Sequence, residues 1–69
     1  MNNSTDTYPN MVTVQLRRIL LDLARREEEI ARTEAALVPY WAPHPASVIG
    51  HRAAAVALRS EAQRFQEAS

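Results

Sequence analysis

From Asn10 to Val38 the chain contains neither glycine nor proline. Its apolar residues Val12, Leu16, Ile19, Leu23, Ile30 and Leu37 return at intervals of three, four or seven. That period is helical, and the pattern predicts a first helix over 10–38. Asn10 is placed to cap it. Opposite charges sit four apart along it, Asp22 with Arg26, Arg25 with Glu29 and Glu28 with Arg32, a spacing that supports a helix in isolation. A second run repeats at three and four: Val48, His51, Ala55, Leu58, Ala62 and Phe65. It predicts a helix over 45–67, opened by Pro45, whose missing N–H costs nothing in a first turn, and slightly weakened by Gly50. Residues 1–9 are polar, end in Pro9, and read as a disordered tail.

Between the helices lies "VPYWAPHP", Val38 to Pro45, with three of the four prolines and the only tryptophan. Proline lacks a backbone donor and disfavours helix in the residue before it, so 39–44 is predicted to be a turn. The fold expected is all-α: an antiparallel two-helix hairpin, completed to a helical bundle by self-association or by a partner.

Placing residues at 100° steps puts Val12, Leu16, Ile19, Leu20, Leu23, Ile30, Leu37 and Val38 on one stripe of the first helix, with Glu27 and Glu34 inside it. In the second helix Arg52 and Arg59 lie between the flanks Val48/Ala55/Ala62 and Ile49/Val56. Folding the chain about Pro43 sets Glu34 against Arg52, Glu27 against Arg59, Leu37 against Ile49 and Ile30 against Val56. Charge, apolar pattern and turn agree on that register.

Two helices leave much apolar surface open. Leu16, Ile19, Leu20, Leu21, Leu23 and Ala24 span an arc too wide for one facing helix, and Val14 and Leu21 project away from the main stripe. Such a patch marks an interface. The alanines at 53–55, 57 and 62 allow close helix approach on several sides. For Trp41 the expectation is that the indole covers the hairpin end against Leu37 and Val48. The alternative, open for Tyr40 too, is that the pair anchors a partner, as aromatic hot spots do.

Composition narrows the class. Sixty-nine residues bury little surface, and there is no cysteine to add a disulfide or a thiolate metal site. Eight basic and eight acidic residues cancel, which speaks against bulk nucleic-acid binding. Every basic residue is arginine, a usage that points to a GC-rich bacterial or phage source. No run is apolar enough to span a membrane, and the N-terminus has no signal-peptide pattern, so a cytoplasmic location is expected.

Chemistry is sparse. His44 and His51 lack the companions of a metal site; the expectation is that His44 caps the second helix and His51 lies in its stripe. The acids of "REEEIARTE", Arg26 to Glu34, are balanced by arginines within helical reach. One glycine precludes a phosphate-cradling loop, and no nucleophile–base motif occurs. Arg17, Arg18, Arg25 and Arg26 form the one basic cluster, partly neutralised by Asp22 and Glu29. No catalytic residue, metal, cofactor or small-molecule substrate is therefore expected.

Two families offer partial resemblances. In "MVTVQLRR", Met11 to Arg18, Val12, Val14 and Leu16 alternate with Thr13, Gln15 and Arg17. A short strand there, followed by two helices, resembles the ribbon-helix-helix DNA-binding family, and the resemblance implies a dimer inserting paired strands, residues 11–16, into the major groove. The first helix is longer than in that family, and prolines replace its glycine-containing turn. A Trp between two helices is also superficially similar to the small secreted WXG-type hairpins, but no glycine follows Trp41 here. The leading expectation is a non-enzymatic protein–protein interaction module, whether regulator, accessory subunit or phage-encoded component, that docks through its helices on itself or on a larger protein. The ribbon-helix-helix regulator is the alternative.

Overall fold

The computed structural model describes the backbone of residues 2–68 and the side chains of residues 11–65. Two helices, α1 (Asn2–Ala36) and α2 (Ala46–Ala68), pack against each other as a hairpin, with no strand among the described residues. The chain is all-α, as the periodicity implies. Residues 11–16, which a ribbon-helix-helix protein would use as a strand, lie within α1. Their alternation is also compatible with a helix, whose period decides once the whole run to Ala36 is considered.

The boundaries differ from the expected ones. Residue 1 lies outside the described residues; from Asn2 onward the stretch expected as a tail is continuous with α1. Pro9 forfeits one backbone hydrogen bond there without ending the helix. At the other end α1 stops at Ala36, two residues early. Leu37 N–H donates to Glu34 C=O and Val38 N–H to Ala35 C=O, both at 3.1 Å, tightening the last turn to the 3₁₀ pattern before Pro39. Pro45 stands just outside α2 rather than in it. Its carbonyl accepts from the N–H groups of Val48 and Ile49, at 3.0 and 3.3 Å.

The intramolecular seam is made of small side chains. The fully buried residues are Ala24 and Ala31 of α1, and Val48, Ala55 and Ala62 of α2. They recur every seven residues on each helix, the interval that keeps one line facing a partner. Alanine adds little bulk between the backbones, so the helices approach closely and gain dispersion contacts along their length. Leu20, Leu21, Glu27, Glu28 and Ala35 border this line on α1, with Val38 just past its end and His51, Leu58 and Phe65 on α2, all half-buried.

This corrects the expected α1 stripe. The seam of α2 follows the predicted run from Val48 to Phe65. On α1, however, the helix is rotated. Val12, Leu16, Ile19, Leu23, Ile30 and Leu37 are exposed, and so are Ile49 and Val56, which were expected opposite Leu37 and Ile30. Ranking residues by hydrophobicity selects the large side chains, whereas two helices alone pack best where both are small.

The hairpin is a rod of 61 × 15 × 12 Å with a radius of gyration of 16.8 Å, against about 11 Å for a compact chain of this length. Ala31→Leu or Ala55→Leu would force bulk into the buried seam. Each should destabilise the hairpin by about 1–3 kcal/mol, while Ile19→Ala, on the exposed stripe, should leave the isolated hairpin within about 0.5 kcal/mol. Thermal melts followed by circular dichroism at low protein concentration test the contrast, and equal losses would refute the alanine seam.

Candidate functional site

Cross-helix polar contacts define two flanks of the hairpin. On one, His51 Nδ1–H donates to Glu27 Oε1 at 2.5 Å and Ser47 Oγ–H donates to Glu34 Oε1 at 2.8 Å. The carboxylate partner fixes the imidazole proton on Nδ1. On the other, Arg59 forms a two-pronged pair with Glu28: Nε donates to Oε2 and Nη2 to Oε1, both at 2.8 Å. Such parallel donation is the geometry an arginine fork favours.

The expected pairs Glu27–Arg59 and Glu34–Arg52 are not formed; each of the four residues takes another partner. The reason is the rotation of α1. Glu27 and Glu28 are adjacent in sequence, but 100° apart around the helix they fall on opposite sides of the alanine line. Arg59 meets Glu28, and Glu27 is left facing His51. Arg52 turns toward the loop, where Nη1 donates to His44 Nδ1 at 3.1 Å. His44 is thus engaged by Arg52 instead of capping α2. Within the helices the ion pairs are Asp22–Arg25 (2.7 Å), Glu29–Arg32 (3.7 Å) and Glu61–Arg64 (3.3 Å), at three-residue rather than four-residue spacing. Arg26 forms no ion pair with any described residue.

The residues expected at a partner interface separate onto these flanks. Leu16, Ile19 and Leu23 lie on the Glu27 side with Ile30, and Leu20 borders the seam there; Leu58 and Phe65 of α2 adjoin them. A shallow groove of about 570 Å³ runs along this flank, lined by Arg26, Glu29, Ile30, Thr33 and Glu34. Val14 and Leu21 fall on the Glu28 side, in a smaller cleft of about 200 Å³ with Arg17, Arg18 and Arg25. The first flank is apolar with two engaged carboxylates, and the second is rich in arginine.

At the tip, Ala42 N–H donates to Pro39 C=O at 3.0 Å, closing a turn whose two central residues are Tyr40 and Trp41. Central positions of a turn point outward. Tyr40 is 99 % exposed, Trp41 75 % and Leu37 83 %. The indole therefore does not cover the hairpin end, as one of the two expected roles required. Val48, the rung it was to shield, is already buried in the seam. No charged residue occurs between Glu34 and Arg52, so the tip is uncharged and aromatic while the stem carries the ion pairs.

Among the described residues no three metal-ligating side chains converge, and no helix is long and apolar enough to cross a membrane. Comparison with protein families, curated proteins and solved structures gave no match.

The hydrogen bonds from Arg59 hold the Glu28 carboxyl below its ordinary value of 4.5, and Glu28 in turn raises the Arg59 guanidinium. A carboxylate whose pKa falls on folding stabilises the fold above its unfolded value. That contribution is lost as pH drops through the lowered folded-state value. Because the pair is at the surface, the effect is small and screened by salt. Glu28→Gln should make the acid side of the melting temperature against pH profile shallower, and more visibly at low ionic strength. A profile superimposable on the wild type would show that the pair does not contribute.

Proposed function

We propose that this protein is a non-enzymatic interaction module that works by docking its apolar α1 flank onto another helical surface. One observation carries the reading: the large apolar residues of α1 are turned away from the intramolecular seam. Val12, Leu16, Ile19, Leu23 and Ile30 are all at least 38 % exposed, while alanines fill the inside. Removing such a stripe from water is favourable at about 25 cal/mol per Å² of apolar area, and no part of the described hairpin does so. Monomeric proteins rarely expose a contiguous patch of this kind unless it binds something. The uncharged tip with Tyr40 and Trp41 extends the same apolar surface, and aromatic side chains are frequent anchors of interfaces.

The intramolecular engagement of His44 and His51, and of the flank carboxylates, fits a structural role for these groups rather than catalysis. A regulator or an accessory subunit would both use such a surface.

The test is to express a tagged chain in the organism that encodes it and compare the wild type with Ile19→Asp/Leu23→Asp. The wild type should run in an assembly heavier than 7.8 kDa. The double variant should keep its helical circular dichroism at low concentration yet run as a free chain. An assembly that survives both substitutions, or that is lost only with Arg18→Glu/Arg25→Glu on the opposite flank, would refute this assignment.

A further inference from the structure

We infer that the occupant of the α1 flank is a second copy of this chain, packed antiparallel so that the aromatic tip of each copy lies toward the N-terminal part of the other's α1. The inference rests on the docking reading above and adds the partner and its orientation.

Three observations converge on it. The first is the spacing of the stripe. Leu16, Leu23, Ile30 and Leu37 are seven apart. Reversing α1 about the point between Arg26 and Glu27 sets Leu16 opposite the second copy's Leu37, and Leu23 opposite its Ile30. Trp41 lies in the turn beyond Leu37, and the same operation carries that turn toward the second copy's α1 around Val12. Every member of the seven-residue line meets an apolar residue, and the stripe is self-complementary as a two-fold interface requires.

The second is charge. The reversal places Arg26 opposite the second copy's Glu27. Arg26 has no ion partner among the described residues of its own chain, and Glu27 uses Oε1 for His51, leaving Oε2 to accept. Arg26 and Glu34 border the groove floored by Ile30, and in this register Ile19 and Leu23 of the second copy enter it. A parallel pairing would instead stack Arg26 on Arg26 and Glu27 on Glu27, and would leave both aromatic tips together in water.

The third is area. The chain exposes 5354 Å², whereas a compact protein of this mass exposes about 4,400 Å². The rod's surplus of roughly 1,000 Å² per copy leaves room for the about 800 Å² that each partner buries in a standard-size interface.

The chain has no cysteine, so single cysteines report the register directly. Sedimentation equilibrium of the purified wild type should give twice the 7.8 kDa chain mass. The emission of Trp41, the only indole, should move to shorter wavelength over the same concentration range. Leu16→Cys mixed with Leu37→Cys should cross-link through a short bismaleimide, and neither variant should cross-link alone. Self-linking of each variant would establish a parallel dimer and overturn the orientation. A dimer whose Trp41 emission remains that of a hydrated indole would overturn the tip contact. A wild type that stays monomeric would overturn the inference altogether, while the docking flank would still stand if Ile19→Asp/Leu23→Asp abolished an assembly with another protein in the native host.

Discussion

Close approach of two helices along a line of alanines governs this structure. Ala24 and Ala31 meet Val48, Ala55 and Ala62 where a larger side chain would separate the backbones. Once that line faces inward, the rotation of α1 is fixed, and with it the position of every other residue on the helix. The leucine and isoleucine stripe is carried to the outside, and Glu27 and Glu28 are divided between two flanks. A seam so thin also removes little surface from water. Folding is marginal when the buried residues, among those described, are four alanines and a valine, because each alanine contributes only a fraction of what a buried leucine would. The same feature that lets the hairpin close therefore leaves it short of stabilising area, and leaves the means of supplying it on the surface.

The polar contacts act on register more than on stability. Glu28–Arg59, Glu27–His51 and Glu34–Ser47 are partly or largely exposed, and pairs of that kind are individually weak. Alanine lines are permissive, however: sliding one past the other by a turn costs little in packing. Directional contacts on both rims discriminate between such slips, since a shift of one turn would take Arg59 out of reach of Glu28 on one side and His51 out of reach of Glu27 on the other. Glu27 is only half-exposed with one oxygen bound, so it remains able to act outward from the flank.

Much of the architecture was legible in the sequence. The glycine- and proline-free runs, the proline cluster between them and the helical period imply two helices and a tight connection. The α2 seam was legible in part: Val48, Ala55 and Ala62 belong to the repeating run, but Ile49 and Val56, expected to face α1 as well, are exposed. The α1 seam was not. There the large residues formed a more conspicuous stripe than Ala24 and Ala31, and reading by hydrophobicity assumes that the largest side chains face the nearest helix. The signal that identifies the seam is a small residue recurring every seven positions on both helices. The error in rotation then propagated to the ion pairs, since a turn of about 100° moves Arg59 from Glu27 to its neighbour. The exposure of Trp41 was also hidden, because it depends on which residues of "VPYWAPHP" occupy the centre of the turn. Only the Ala42–Pro39 hydrogen bond decides that.

The distribution of charge along the rod links the turn to the stem. Between Glu34 and Arg52 the chain carries none, and the prolines at 39, 43 and 45 hold this segment with little conformational freedom left to lose. Rigid aromatic surface has a low ordering cost on binding, as two torsions suffice to fix Tyr or Trp. A tip evolved only to connect two helices would need neither aromatics nor this rigidity; a short polar loop would serve and would not expose an indole. Toward the N-terminal part of α1 the exposed residues include the aliphatic Val12 and Leu16, beside a stem laced with ion pairs. For the docking proposed above, an apolar tip and an apolar stripe on either side of a charged middle would favour a partner aligned along the rod over one touching it at a single point. Only lengthwise contact covers both while allowing Arg26 to find a carboxylate in between. The single feature that ties these regions together is the direction in which α1 faces, and that direction is set by two alanines.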